Sequence, residues 1–245
     1  MSDQTFLFEQ GLVTCQNNGL NLSVVFDVNE LPAEIHEKSS VNLLDYSRLV
    51  LLGNGGQLFW EALDRYGWPL ENPVDSFSLH LTQNLLESFS KPADSSLILY
   101  PQQSHMIPLQ QLGSLAGWGT PSPIGNSIHP QFGLWFAFRA AFLTTVKLPV
   151  THVNVEQSPC ETCRKKPCQT ACPVNAVKGN SEQFELYQCI DHRVKEGSSC
   201  RSKCLARLAC PVGREHRYPR KAIEYLYLSS VRSIAAWKAR QIDGN

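Results

Sequence analysis

FGLWFAFRAAFLTTV, residues 132–146, is the stretch on which the fold turns. It is aromatic and apolar almost throughout, with Arg139 as its one charge. Periodicity leaves two readings open, an interior strand or a buried helix, because a segment covered on every side shows no alternation. The run is too short to span a bilayer, and Arg139 interrupts it. A guanidinium in such a run needs a carboxylate, a carbonyl or a ligand acceptor, since an unpaired buried charge is costly.

Working outward, GWGTPSPIGNSIHPQ (117–131) reads as a loop of glycines and prolines. MIPLQQLGSLAG (106–117) reads as a short helix opening at Pro108, and SSLILYP (95–101) as a strand. NPVDSFSLHLTQNLLESFS (72–90) has the marks of a helix, with Pro73 in the first turn and Asp75 favouring the dipole. GGQLFWEALDRYG (55–67) is a helix closed by Gly67, while GLNLSVVFDV (19–28) and YSRLVLLG (46–53) are strands. GNGG, residues 53–56, lies between strand and helix, where backbone N–H groups could hold a phosphate. Lacking the full dinucleotide fingerprint, it reads as a tight turn. The expected class is α/β (α+β), with a mostly antiparallel sheet in residues 1–150.

Beyond residue 150 the regular pattern fades and cysteines punctuate the chain. Eight of the nine lie there; Cys15 stands alone and reads as buried packing. The first group is C-x2-C-x4-C-x3-C-P: Cys160, Cys163, Cys168 and Cys172. The second is Cys189, then C-x3-C-x5-C-P: Cys200, Cys204 and Cys210. MSDQTFLFEQ lacks the basic-then-apolar pattern of a signal peptide, so a cytoplasmic protein with no membrane partner is expected. In that compartment thiols stay reduced, and a cysteine cluster reads as metal-binding. Two cubane clusters need eight thiolates. In two-cluster ferredoxins the cysteine before the proline reaches across to the other cluster. Applied here, Cys160, Cys163, Cys168 and Cys210 hold one 4Fe-4S cluster, and Cys172, Cys189, Cys200 and Cys204 the second. Two structural zinc sites are the alternative. Against zinc stand the paired Cys-Pro-Val endings and the presence of only one C-x2-C pair.

Charge divides the chain as well. Residues 1–150 hold 6 Lys and Arg against 13 Asp and Glu, and residues 151–245 hold 16 against 9. The balances, −7 and +7, point to two regions with different work. The basic region reads as offsetting an anionic cofactor, and nucleic acid is not the expected partner.

The cysteine segment resembles the dicluster ferredoxin module of epoxyqueuosine reductases and corrinoid reductive dehalogenases, with QCIDH around Cys189 similar to its isolated cysteine. GNSIHPQFGLWFAFRAAFL (125–143) resembles the IHPRFGGWFAIRG signature of the CblC-type cobalamin-processing family, the cyanocobalamin decyanases. NPVDSFSLHL (72–81) resembles that family's DPVDQCVAYHL, and SRLVLLGNGGQLFWEAL sits where the family has strand, turn and helix. The likeness covers about residues 45–145. It implies a flavin-nitroreductase-like sandwich that binds a corrinoid base-off. The family's histidine falls on His129, its Phe-Gly on Phe132 and Gly133, its Trp-Phe-Ala on Trp135, Phe136 and Ala137, and its arginine on Arg139. Leu134 and Ala140 replace two glycines, and the glutathione-binding arginines have no counterpart.

Domains are therefore expected at 1–150, a CblC/nitroreductase-like corrinoid-binding region, and at 151–245, a ferredoxin-like dicluster region with a C-terminal helix. His129, Trp135, Arg139 and Trp118 are the expected cofactor-binding residues, with no catalytic residue assigned. Each has a plainer reading: His129 as a loop cap, Arg139 as a structural ion pair, the tryptophans as core. The favoured function is an oxidoreductase passing single electrons from two clusters to cobalamin, with an electron-donor protein as partner; flavin is the lesser candidate for the pocket. A ferredoxin-type electron carrier is the alternative. An epoxyqueuosine reductase ranks last, since no D-[ST]-x-P element is present and there is no room for that family's helical repeats.

Overall fold

The structure, a computed structural model, describes residues 2–69, 71–102, 104–154 and 156–243. Helix α1 (Asp3–Asn17) leads to strand β1 (Leu22–Asp27), helix α2 (Ala33–Lys38) and strand β2 (Arg48–Gly55). Helices α3 (Leu58–Tyr66) and α4 (Pro73–Phe89), strand β3 (Ser96–Tyr100) and helix α5 (Leu109–Leu115) follow. A hairpin of β4 (Thr120–Pro121) and β5 (Ser127–Ile128) precedes the long strand β6 (Phe136–Thr144). The remainder is helical: α6 (Pro159–Thr162), α7 (Pro167–Thr170), α8 (Leu186–Val194), α9 (Leu205–Ala209) and α10 (Arg220–Asp243). This is a mixed α/β fold with a small antiparallel sheet and ten α-helices among the described residues. No helix among them is long and apolar enough to cross a membrane.

The chain forms two compact units. One is Met1–Trp118 with Phe136–Val155; the other is Gly119–Trp135 with Glu156–Asn245. The units follow packing rather than the charge boundary at residue 150, because residues 119–135 group with the cysteine segment.

In the first unit the sheet runs β1-β2-β6-β3, antiparallel throughout. Residues 136–144 of the opening stretch thus form a central strand. Phe142 lies opposite Val50 on one side and Ile98 on the other. Ala140 through Thr144 are all buried, so the strand shows no alternation and its sequence could not be told from a buried helix. GNGG corrects the expectation of a tight turn: β2 continues to Gly55 with a register shift between Leu52 and Gly53. The Gly55 N–H donates to Asn21 Oδ1 at 2.7 Å, which takes it out of any phosphate cradle. Helix α1 is not legible in the sequence because it has no continuous apolar stripe; Thr5, Phe8 and Cys15 are its buried residues. It is held against α4 by the Phe8–Phe89 edge contact, 5.2 Å between centroids. Cys15 is 2% exposed, and burial pushes its thiol up to about 12, as befits a packing residue.

In the second unit, the segment expected as a plain loop contains the β4–β5 hairpin and a tight turn. In that turn the His129 N–H donates to the Gly133 carbonyl at 2.8 Å, and the Gly133 N–H donates back at 2.9 Å. The core combines Ile124, Ile128 and Leu134 of this segment with Cys172, Ala176, Val177, Ala206 and Cys210. Leu134, which stands where the resembled family has glycine, is thus a core side chain in contact with the cysteine region. Helix α10 packs along α8, where Lys238 meets Asp191 at 2.5 Å.

Candidate metal centre

The cysteines sit at the ends of very short helices. Cys160 lies in α6 and Cys163 is its C-cap; Cys168 lies in α7, with Cys172 just beyond it. Cys189 lies in α8, while Cys204 and Cys210 are the N-cap and C-cap of α9. Proline at the first turn of α6 and of α7 starts each helix where an N–H would go unused.

These positions gather the thiols into two sets of four. Cys160 has Cys210, Cys168 and Cys163 as its thiol neighbours, and the four line one small hollow with Ile128 and Pro123. Cys189 has Cys204, Cys172 and Cys200 as neighbours, and these four line a cavity of about 570 Å³. The crossed sets are those expected from the spacing. The reason is the reach of a helix. From Cys204 to Cys210 the chain advances six residues, about 9 Å at helical rise, so the two cysteines face different hollows. Cys168 lies within α7 and Cys172 two residues beyond its end, so the chain leaving the helix carries the second sulfur to the other hollow.

Burial pushes the thiols of Cys160 and Cys189 up to about 11, and neighbouring thiols add to the effect. Cys168, Cys204 and Cys210 are raised for the same first reason. These five thiols are therefore protonated at neutral pH, and a bound metal would displace their protons. All nine cysteines are free of disulfides. Among the described residues, no three His, Cys, Asp or Glu side chains meet closely enough to hold a single metal ion.

The four residues expected at a cofactor pocket divide between the units. His129 and Trp135 lie in the cysteine unit, Trp118 and Arg139 in the sheet unit. His129 is 8% exposed and caps its own turn: its Nδ1 accepts from the backbone N–H of Gln131 at 3.0 Å and of Phe132 at 3.2 Å. Burial, with His216 nearby, lowers its pKa to about 4, so the ring is neutral with its proton on Nε2. Trp135 is fully buried, with the Arg207 guanidinium 4.5 Å and that of Arg217 5.6 Å from its ring and Tyr218 at its edge. Trp118 stacks on Phe138 at 6.3 Å. Arg139 is 5% exposed; its Nε donates to Asn54 Oδ1 at 2.6 Å, and its guanidinium lies over Phe59 and Trp60. One of its acceptors is thus a side-chain carbonyl. Asp75 and Tyr100 also feel its charge, which opposes the upward push of burial on both.

Sequence reasoning missed one further residue of this centre, Arg207, and the part that Gly133 plays. Arg207, three residues from both Cys204 and Cys210, donates from Nε and Nη2 to the Leu134 carbonyl at 3.2 and 2.5 Å. Gly133, at φ 58°, packs on the Val212–Gly213 backbone, where an added Cβ would lie 2.2 Å from the Val212 oxygen. The His-Pro-x-Phe-Gly turn and the second Cys-Pro-Val, with Gly213 after it, are therefore one joint.

No family model matches the chain, and no curated protein matches its sequence. Solved structures do match in fold. An epoxyqueuosine reductase crystallised with an epoxyqueuosine-modified tRNA-Tyr stem loop aligns with a TM-score of 0.57 at 15% identity, over 91% of this chain and 69% of that one. The epoxyqueuosine reductase of Bacillus subtilis aligns at 0.55 and 13% identity, over 89% and 68%. CblC, a B12-trafficking protein of C. elegans, aligns at 0.57 and 15% identity, over 94% and 95%. Over most of its length this chain has the fold shared by these epoxyqueuosine reductases and this CblC protein.

Proposed function

We propose that this chain is an iron–sulfur redox protein that carries two four-iron clusters and uses them to reduce a bound corrinoid. One cluster is assigned to Cys160, Cys163, Cys168 and Cys210, the other to Cys172, Cys189, Cys200 and Cys204. The observation that carries the reading is the gathering of eight thiols into two fours, each joining cysteines from both sequence groups. Such clusters move one electron at a time. Around each four, the chain's own part is to exclude water with the Ile124, Ile128 and Leu134 core and to present fixed donors, as the Arg207 N–H does to Cys204 Sγ at 3.4 Å. Zinc also takes four thiolates; the paired Cys-Pro-Val endings and the single C-x2-C pair count against it.

The corrinoid half of the reading is supported by the fold shared with a B12-trafficking protein and by the 125–143 segment. His129, Trp118, Trp135 and Arg139 are all buried in packing. They remain the proposed cofactor-binding residues, His129 and Trp135 in one unit and Trp118 and Arg139 in the other. The reductant is an external one-electron donor protein.

Anaerobic reconstitution should give about eight iron and about eight sulfide per chain, with broad visible absorption. Zinc in place of iron would end the iron–sulfur reading. Cobalamin added to that protein should shift to a base-off spectrum. No spectral change with any cobalamin form, in protein bearing both clusters, would leave an electron carrier. A second reading, action on an RNA, is favoured by the 16 basic against 9 acidic residues of the cysteine unit. The neighbour solved with a tRNA stem loop points the same way. Retardation of such a stem loop at physiological salt, with no cobalamin spectrum, would favour it.

A further inference from the structure

The two cysteine fours differ in the cations beside them. Arg207 is 9% exposed and sits on α9, its backbone N–H on Cys204 Sγ and its guanidinium fixed by the Leu134 carbonyl and the Trp135 ring. Arg193 follows Cys189 by four residues on α8, so both lie on one helix face. It lines the same cavity as the second four, lies 4.9 Å from the Tyr227 ring and donates to the Tyr227 carbonyl at 3.3 Å. At the first four the corresponding cations are Lys166, half-buried, and Arg214, exposed.

Reduction of a cluster adds one electron and breaks no bond. Burial opposes the added charge. A fixed cation in a poorly hydrated site offsets that penalty and is little screened by salt, whereas an exposed one is screened within about 10 Å at 0.1 M. We propose that Arg193 and Arg207 set the reduction potential of the cluster held by Cys172, Cys189, Cys200 and Cys204, holding it up against burial, while surface charge governs the other cluster. This rests on the iron–sulfur reading given above.

The test is a potentiometric titration of the reconstituted full chain with dithionite, followed by electron paramagnetic resonance. A Cys163→Ser variant, which alters the first cluster's signal, assigns the two midpoints. In wild-type protein the second midpoint should hold between about 0.05 and about 0.5 M salt, while the first moves. Arg193→Gln should lower the second midpoint alone, changing its oxidised-to-reduced ratio at fixed potential at least tenfold, about 59 mV for one electron. Arg193→Lys, which keeps the charge, should recover most of that change. Arg207→Gln and Arg207→Lys should behave alike where the iron content shows both clusters present. Unmoved midpoints in fully loaded Arg193→Gln protein, or equal salt shifts of both clusters, would overturn the proposal. Protein that takes up no iron overturns the iron–sulfur reading instead.

Discussion

His129 and Gly133 close one turn from both ends, and each does so by a feature a substitution can remove. The His129 ring accepts two backbone N–H bonds at Nδ1. His129→Ala should leave both donors without this acceptor, the Phe132 N–H in a buried place, at a cost of about 1–3 kcal/mol in unfolding free energy. Because its folded pKa is lowered from 6.5 to about 4, the unfolded chain takes up the proton first as pH falls. The contribution is present in full above 6.5 and is lost between 6.5 and 4; it amounts to roughly 3 kcal/mol at most. Denaturant midpoints at pH 7.5 and 5 should therefore diverge less in His129→Gln than in wild type, and equal divergence would remove the histidine from this role. Gly133→Ala should be the harsher change, since the turn needs φ 58° and its Cβ would strike the Val212 carbonyl. Its joint lies two residues past Cys210, so the iron assay should show loss centred on the first cluster.

Among elements, α7 and α9 decide which cysteines meet. Each is shorter than two turns, and each carries the chain from one cysteine four to the other. Cys210→Ser should thus damage the cluster of Cys160, Cys163 and Cys168, from which it is more than forty residues distant in sequence. The cluster of its near neighbour Cys204 should survive. Cys172→Ser should do the converse. Resonance spectra of the two variants would show it; an intact first cluster in Cys210→Ser protein would undo the crossed assignment. Strand β6 works differently: with Ala140 to Thr144 all buried between β2 and β3, its place is fixed by covering on both faces rather than by alternation.

At the scale of the whole molecule, the sheet unit has its own apolar core, while the cysteine unit is built around eight thiols. Metal binding and folding are coupled where the site is the core. Chelation of reconstituted protein should raise hydrogen exchange in 156–243 and, although it precedes them in sequence, in 119–135 as well. The strands β1, β2, β3 and β6 should keep their protection. Loss confined to residues after 155 would show that the 119–135 segment does not depend on the cysteine core. Uniform loss in both units would show a single cooperative block.

Much of this protein is settled locally and so could be read in the sequence. Pro73 and Gly67 mark helix ends because backbone geometry acts over a few residues. The crossing of the cysteine fours is legible in the spacing because a Cys-Pro end and a short helix fix where a sulfur can reach. What only the tertiary structure decided is whatever depends on distant covering. FGLWFAFRAAFLTTV is split, its first four residues in the cysteine unit and a central strand beginning at Phe136. Arg139 found the Asn54 side-chain carbonyl, 85 residues away. Arg207 found the Leu134 carbonyl, 73 residues away. A buried charge must have a partner, and the sequence states that need. Which partner answers it depends on chain reversals that no local pattern encodes.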